Sequence, residues 1–530
     1  MVSIVEKSRE ELIETTQKLV EENVQLKAKV AWFEEQLRLA QHRRFGSSSE
    51  QTPPPEQQAL LFNEAEACEL PGLPEPTLET ITYNRRKKAK GRREAQLADL
   101  PVEEIEYRIP EDERVCHQCS GALHEMGSDV RQELKIVPAQ VSVVKHVRFK
   151  YACRHCQQEE TTTPILTAKM PKPAFPNSIA SPSAVAHIMT QKFVMGAPLY
   201  RQEQQFERQG IDLHRQTMAN WMIKGADWLV PIIDRMQEHL LARDSLHADE
   251  TTLQVLKELG RAPTTNSYLW LYRSGREGPP IVYFEYQQTR AGEHPKRFLA
   301  DYLGYLNVDG YAGYDGLSKQ IVLVGCWTHA RRKFDEALKA LAPSDRKKGS
   351  SASHKGLEFC NRLYQIEKEF RDATSQERFA ARLERSKPVL DEFKEWLDQQ
   401  VLKVLPKSAI GGAIGYCLNQ WAKLNNFLLD GRLEIDNNRA ERAIKPFVIG
   451  RKNWLFANTP AGATASANIY SLIETAKEND LTPSPYLTYL FETLPNIDSQ
   501  DHQAIDRLLP WSEDLPASCR KPAPTRTQPE

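Results

Sequence analysis

Between residues 245 and 340 the chain alternates short apolar segments with turns and helix-like stretches in one definite order, and this order constrains the fold most. "SLHADETTLQVLK" alternates with period two and reads as a strand, with Asp249 near its start. "NSYLWLYRS" and "PPIVYFEYQQT" read as two further strands, joined by Gly-containing turns. A helix-like "EHPKRFLADYLG" precedes "YLNVDGYAGYDG", which puts Asp309 at the end of a short apolar strand. "QIVLVGCWTHARRKFDEAL" then reads as a buried strand running into a helix.

Strand-strand-strand-helix-strand-helix-strand is the order of an RNase H-like core, so the expected fold is multidomain α/β with such a core. In that plan the first and fourth strands are neighbours, and Asp249 and Asp309 face each other. Two facing carboxylates are costly unless a cation lies between them. Hard oxygen donors suit Mg2+ (or Mn2+), and a pair of ions about 3.5–4 Å apart would activate one phosphate-bound oxygen and stabilise another. A third carboxylate is then needed from a helix after the last strand. Glu441, in "IDNNRAERAIKPFVIGRKNW", is the candidate. Locally, Asn438-Arg439-Ala440-Glu441 also fits a capping box, with the cap moved to Asp436 or Asn437 if Glu441 is a ligand. Asp315, Glu434 and Asp436 rank below these three. Residues 335–430 read as a charged helical insertion in a core spanning 241–480, with a C-terminal module and disordered tail over 481–530.

Four segments precede the core. Over 1–45, Val5, Leu12, Leu19, Leu26, Phe33 and Ala40 recur every seven residues, with Thr16, Asn23, Val30 and Leu37 in the complementary row. Such a heptad seam predicts a coiled coil (leucine zipper) that pairs chains, the alternative being an amphipathic helix packed on its own chain. Residues 46–100 carry Pro- and Ser-rich linker sequence and the basic run "RRKKAKGRR", whose Arg85, Arg86, Lys87, Lys88, Arg92 and Arg93 suit phosphate contacts. Over 101–165, "CHQC" and "CRHC" place Cys116, Cys119, Cys153 and Cys156 as two knuckles flanking a stretch that alternates like strands. Four thiolates close a structural Zn2+ site, a zinc ribbon. Over 176–240 a helix near Leu199–Arg208 ends at Gly210, and Asp212 is placed to cap a second helix that starts with Arg215 and Gln216. That is a helix-turn-helix plan or an ordinary helical hairpin.

A net charge of −1 announces no polyanion partner, so charge has to be read locally. No apolar run approaches the roughly 18–20 residues of a membrane span, and the N-terminal stretch lacks an apolar signal core, so a cytoplasmic protein is expected. In a reducing compartment the nine cysteines are thiols or metal ligands rather than disulfides.

"LHADET", "VDGYAGYDG", "CWTHARRKF", "DNNRAERAIKPFVIGRKNWLF" and "YSLIETAKENDLTPSPYL" together resemble the transposase of the insertion-sequence-66 family, a bacterial DDE-type enzyme. The resemblance runs from about Leu12 to Pro495. It implies a triad of Asp249, Asp309 and Glu441, and a supporting Cys-x-x-His pair, Cys326 and His329. It implies metal-dependent cleavage at element ends and transfer of the freed 3′-hydroxyl into target DNA. Arg439, Arg442, Lys445, Arg451 and Lys452 would grip the DNA backbone beside Glu441. It further implies DNA ends and target as partners, a homodimer or higher assembly, small accessory proteins of the same element, and association with the nucleoid. Two rivals fit parts of the pattern: an RNase H-like nuclease or junction resolvase without strand transfer, and a zinc-ribbon DNA-binding regulator with an inactive core.

Overall fold

The computed structural model describes residues 141–152 and 165–522, with much of 16–38. The linker, the basic arm from Arg85 to Arg93, and the four ribbon cysteines lie outside the described residues.

The centre of the larger unit is a mixed sheet. Its strands are β3 (Ser245–Val255), β4 (Asn266–Ser274), β5 (Val282–Gln287), β6 (Gly304–Val308) and β7 (Ile321–Gly325), in spatial order β5-β4-β3-β6-β7. β3, β4 and β5 form an antiparallel meander, while β6 pairs parallel with both β3 and β7. The first and fourth strands of the run are therefore neighbours, as their order predicts. A two-residue strand, β8 (Phe456–Ala457), adds parallel to the far end of β3.

The continuous apolar run in β4 explains its interior place: Ser267 and Leu269 through Ser274 are all buried, as a strand covered on both faces requires. The β5 edge is closed by a helix. Ser471 Oγ and Thr475 Oγ1 accept the backbone N–H groups of Phe284 and Val282 at 2.7 and 2.9 Å, which removes exposed donors from that edge.

Helices α1 (Pro182–Phe193), α2 (Leu199–Arg208) and α3 (Arg215–Leu241) precede the sheet. α4 (Glu293–Phe298) crosses from β5 to β6, and α5 (Trp327–Ala340) follows β7. α6 (Ala352–Glu369), α7 (Lys387–Val401) and α8 (Ala409–Asn419) belong to the insertion. α9 (Asn438–Trp454), α10 (Pro460–Glu478) and α11 (Pro483–Thr493) return to the sheet. The insertion has its own apolar centre, in which Trp327 and Phe334 of α5 meet Phe359, Phe393, Ile414 and Phe427. By contrast, one continuous cluster joins Met189 and Ile233 of the early helices, Leu269 and Phe284 of the sheet, and Leu490 and Leu509 near the C-terminus. The helical segment before the sheet and the C-terminal module thus share the core of the sheet.

Two local expectations are corrected. Asp212 does not cap α3. Its side chain is 91% exposed, and the Arg215 N–H is instead donated to Glu203 Oε1 of α2 at 2.9 Å. A carboxylate reaching over from the preceding helix does the work of a cap. In the smaller unit, Val141–Phe149 form no strand. The alternating stretch becomes regular only at β1 (Lys150–Ala152), antiparallel to β2 (Ile165–Thr167). Val143 is 95% exposed, and alternation without a pairing partner does not make a strand.

All described residues between 16 and 38 are helical, and Leu19, Leu26, Val30, Phe33 and Leu37 of the heptad rows are exposed. The opposite side touches the insertion: Arg38 Nε donates to Ala340 O at 2.6 Å, and Glu35 Oε1 accepts the N–H of Ala409 at 3.0 Å.

Candidate active site

The register of two strands builds the site. The β3–β6 ladder ends at His247 opposite Asn307. Asp249, within β3, and Asp309, one residue past the end of β6, each lie two residues beyond that last rung. Val308 is paired with Gly325 across β6 and β7. One residue beyond that pair come Asp309 and Cys326, so Cys326 flanks Asp309 on its other side. His329 follows in the first turn of α5.

Glu441 arrives from α9, and Asn437 fixes where that helix begins. Its side-chain amide donates to Ala248 O at 2.8 Å, extending the ladder where β6 leaves off, and its Oδ1 pairs with His247 Nδ1 at 2.9 Å. Its backbone N–H donates to Cys326 Sγ at 3.2 Å. One buried asparagine thereby ties the Glu441 helix to the Asp249 strand and to the Cys326 turn. Asn307 adds a parallel tie, donating to Glu434 O at 2.9 Å. Because α9 starts at Asn438, that residue is not the cap and the local capping-box reading of Glu441 fails. Asp436 Oδ1 accepts the N–H of Asn438 at 3.1 Å, one turn before Glu441.

The electrostatics are those of crowded acids. Burial pushes the Asp249 carboxyl well above the usual carboxylate range; Glu250 pushes it in the same direction, and so do Asp309 and Glu441. Asp249 accepts only the backbone N–H of Glu250, at 2.8 Å, and Asp309 the backbone N–H of Tyr311, at 2.9 Å; neither has an ion pair among the described residues. Burial likewise raises the Cys326 thiol to about 12, with Asp436 acting in the same direction. Burial lowers the His329 imidazole from its ordinary value, and nearby Arg332 acts in the same direction.

Asp249 and Asp309, neither with a cationic side chain in contact among the described residues, offer oxygen donors of the kind a hard divalent ion takes, whereas Glu441 has its donor atom within 4.8 Å of those of Cys326 and His329. The lower-ranked acids are otherwise engaged. Lys423 Nζ pairs with Asp315. Glu434 is gripped by Arg276 and Arg439, and although burial opposes its charge, His247, Arg439 and Arg276 hold its carboxyl down to about 2. Asp436 takes the Tyr364 hydroxyl at 3.1 Å.

Sequence reasoning missed Glu250, His247 and Asn437. Glu250 is almost fully buried: it accepts from Arg290 Nε at 2.7 Å and from the Tyr314 hydroxyl at 2.8 Å. The second acid of "ADET" was the available signal, but period two sends it to the other face of the strand. For Asn437 the only signal was a polar pair before a helix, which reads as a cap.

The basic residues divide. Arg215, Gln216, Arg442, Lys445 and Lys452 are exposed. Arg215 nevertheless leans on Tyr200 and on Glu203. The Arg439 guanidinium is bonded to Glu434, and that of Arg451 to the carbonyl and hydroxyl of Thr252 on β3.

The structure shows a mixed sheet with buried acidic residues near the ends of β3 and β6, and comparison with known proteins gives the family. The chain matches the Transposase IS66 family over residues 177–465 and the zinc-finger binding domain of transposase IS66 over 113–157. It also matches Transposase C of IS166 homeodomain over 32–105 and the IS66 C-terminal element over 471–511. Among curated relatives, uncharacterized protein y4jD of Sinorhizobium fredii (strain NBRC 101917 / NGR234) is 33% identical over 444 residues, covering 81% of this chain and 84% of its own. From the same organism, uncharacterized protein y4qI is 32% identical over 90% of this chain and 88% of its own, and y4hP 32% over 77% and 75%. The protein belongs to the IS66 transposase family. No described helix is long and apolar enough to cross a membrane.

Proposed function

We propose that this transposase cuts DNA at the ends of its element and joins the freed 3′-hydroxyl to target DNA, using Asp249, Asp309 and Glu441 as its metal ligands in an RNase H-like core. The observations that support the reading are that Asp249 and Asp309 each follow the last β3–β6 rung by two residues, and that Asp309 and Glu441 both act to raise the Asp249 carboxyl. The spatial order β5-β4-β3-β6-β7, with the first three strands antiparallel and the rest parallel, supports the fold. Two Mg2+ (or Mn2+) ions in this donor set supply activation of the attacking oxygen and stabilisation of the leaving one. The chain's own residues would position the carboxylates, with Asn437 and Asn307 tying the start of α9 and the segment before it to β3 and β6.

Arg442, Lys445 and Lys452 on the exposed face of α9 are assigned to the DNA backbone, with the arm from Arg85 to Arg93 and the start of α3 at Arg215 and Gln216. Cys116, Cys119, Cys153 and Cys156, all within the zinc-finger match, are assigned one structural Zn2+. The exposed heptad face pairs two chains so that both element ends are held together. Action on DNA places the protein in the cytoplasm at the nucleoid, alongside accessory proteins of its element.

The test is a strand-transfer assay with a precut element end, Mg2+ and supercoiled target. Joined product is expected from wild type and none from Asp249→Asn or Glu441→Gln. Cleavage without joining would assign the same site to a nuclease, and DNA binding without either reaction to a regulator.

A further inference from the structure

We propose that Cys326, His329 and Glu441 form a second metal site, which takes a soft divalent ion such as Zn2+ and thereby withdraws Glu441 from Asp249 and Asp309. One donor atom of each of the three residues lies within 4.8 Å of the others. A single strand-to-helix junction delivers two of them, Cys326 after β7 and His329 in the first turn of α5, while α9 delivers the third. Around a tetrahedral zinc, with bonds of about 2.3 Å to sulfur and about 2.0–2.1 Å to nitrogen and oxygen, donors sit roughly 3.3–3.6 Å apart.

The surroundings suit a thiolate once a metal takes the place of its proton. Cys326 stands at the N-cap position of α5, where the helix dipole favours negative charge, and its Sγ accepts the Asn437 N–H at 3.2 Å. His329 Nδ1 is buried with no hydrogen-bond partner among the described residues. Coordination releases the thiol proton to solvent, and the sulfur, imidazole and carboxylate donors form the bonds. Three protein ligands leave a fourth position open, so the ion is exchangeable rather than structural.

Selectivity follows from the donors. Thiolate and imidazole prefer zinc, whereas a set of carboxylates suits magnesium. Glu441 is common to both sets, so the two occupancies compete for it. Zinc becomes an inhibitor whose action is routed through Cys326. Binding stands on the geometry of this cluster alone; inhibition also rests on the reading of Asp249, Asp309 and Glu441 as Mg2+ ligands.

The full chain, with its ribbon loaded with zinc, is titrated with Co2+ and the thiolate-to-cobalt charge-transfer band is followed. Wild type should gain one thiolate–cobalt site that zinc displaces. Cys326→Ser should lose it, and His329→Asn should weaken it by at least about 10-fold. Asp249→Asn should keep it, whether or not that variant cuts DNA. His329→Asn stands in if Cys326→Ser fails to fold. In Mg2+-supported cleavage, the zinc concentration for half inhibition, relative to each variant's own zinc-free rate, should rise by at least about 10-fold in Cys326→Ser. No added band in wild type, or a band that survives Cys326→Ser, would overturn the site. A normal site with unchanged zinc inhibition in Cys326→Ser would overturn the withdrawal of Glu441. A chain that binds cobalt as expected but cleaves no DNA keeps the site and sinks the transposase mechanism instead.

Discussion

Asn437→Ala is the sharpest test of how the site is assembled. The substitution deletes two buried side-chain hydrogen bonds, to Ala248 O at 2.8 Å and to His247 Nδ1 at 2.9 Å, and leaves the backbone bond to Cys326 in place. Both abandoned groups lie inside the protein: Ala248 is fully buried and His247 is 1% exposed. Burial already depresses the imidazole to about 4, so His247 cannot recover by charging at neutral pH. An unsatisfied buried polar group costs about 1–3 kcal/mol, so the two together should cost roughly 2–6 kcal/mol, at the lower end if water enters the vacated space. Urea unfolding followed through the buried indoles of Trp270 and Trp327 reads this directly, provided the m-value is unchanged. A second readout separates positioning from bulk stability. Below the unfolding transition, the Mg2+ concentration needed for half-maximal cleavage should rise, because α9 no longer holds Glu441 against β3. A loss below about 0.5 kcal/mol, the range of an ordinary surface substitution, would refute the reasoning. So would a normal Mg2+ dependence in a destabilised protein, which would reduce Asn437 to a packing residue.

Asp249→Asn should abolish cleavage yet stabilise the metal-free fold. The folded-state pKa of Asp249 is raised, so its contribution to stability is present below the ordinary carboxylate value of about 3.9 and is lost as pH rises through the folded value. The stability difference between variant and wild type, measured in EDTA, should therefore grow with pH above about 4, and a flat difference would count against a buried charged cluster. Saturating Mg2+ at about 100 times its Kd should return about 2.7 kcal/mol to wild type and nothing comparable to the variant, read by thermal unfolding. Arg442→Ala and Lys445→Ala should each reduce the slope of log affinity against log salt by about 1 in DNA-binding titrations. Arg451→Ala should instead lower stability and leave that slope unchanged, since its guanidinium is committed to Thr252. Leu26→Glu with Phe33→Glu should convert the assembly to monomers in sedimentation equilibrium while sparing the core, whose sheet those residues do not touch.

What was legible in the sequence was periodic or sharply punctuated. β3 to β7 alternate or run apolar between Gly turns, so their order along the chain and the neighbourhood of the first and fourth could be read directly. The insertion announced itself by charge and helical period. What stayed hidden depended on partners far away in the chain. Nothing near Asp212 tells that Glu203, nine residues earlier, satisfies the Arg215 N–H from a neighbouring helix. Nothing near Arg451 tells that α9 returns alongside β3, so that a basic residue of this helix donates to a strand carbonyl. Alternation over Val141–Phe149 promised a strand, but a strand needs an edge to pair with, which no local pattern records.

Glu441 shows why the same letters carry two readings until register is known. In isolation, an acid three residues after an asparagine satisfies a helix start, and nothing local contradicts this. The helix, however, begins at Asn438, and its first N–H is already taken by Asp436. The asparagine that precedes it spends its side chain on β3 rather than on the helix. A glutamate released from capping is then carried to a place where burial and its acidic neighbours already disfavour a carboxylate at Asp249. Such an arrangement disfavours ionised Asp249 in the metal-free protein, and either a proton or a bound cation relieves it. The stabilising ties of Asn437 and Asn307 make sense on the same account. They tie the start of α9 and the segment before it to β3 and β6, which carry Asp249 and lead into Asp309.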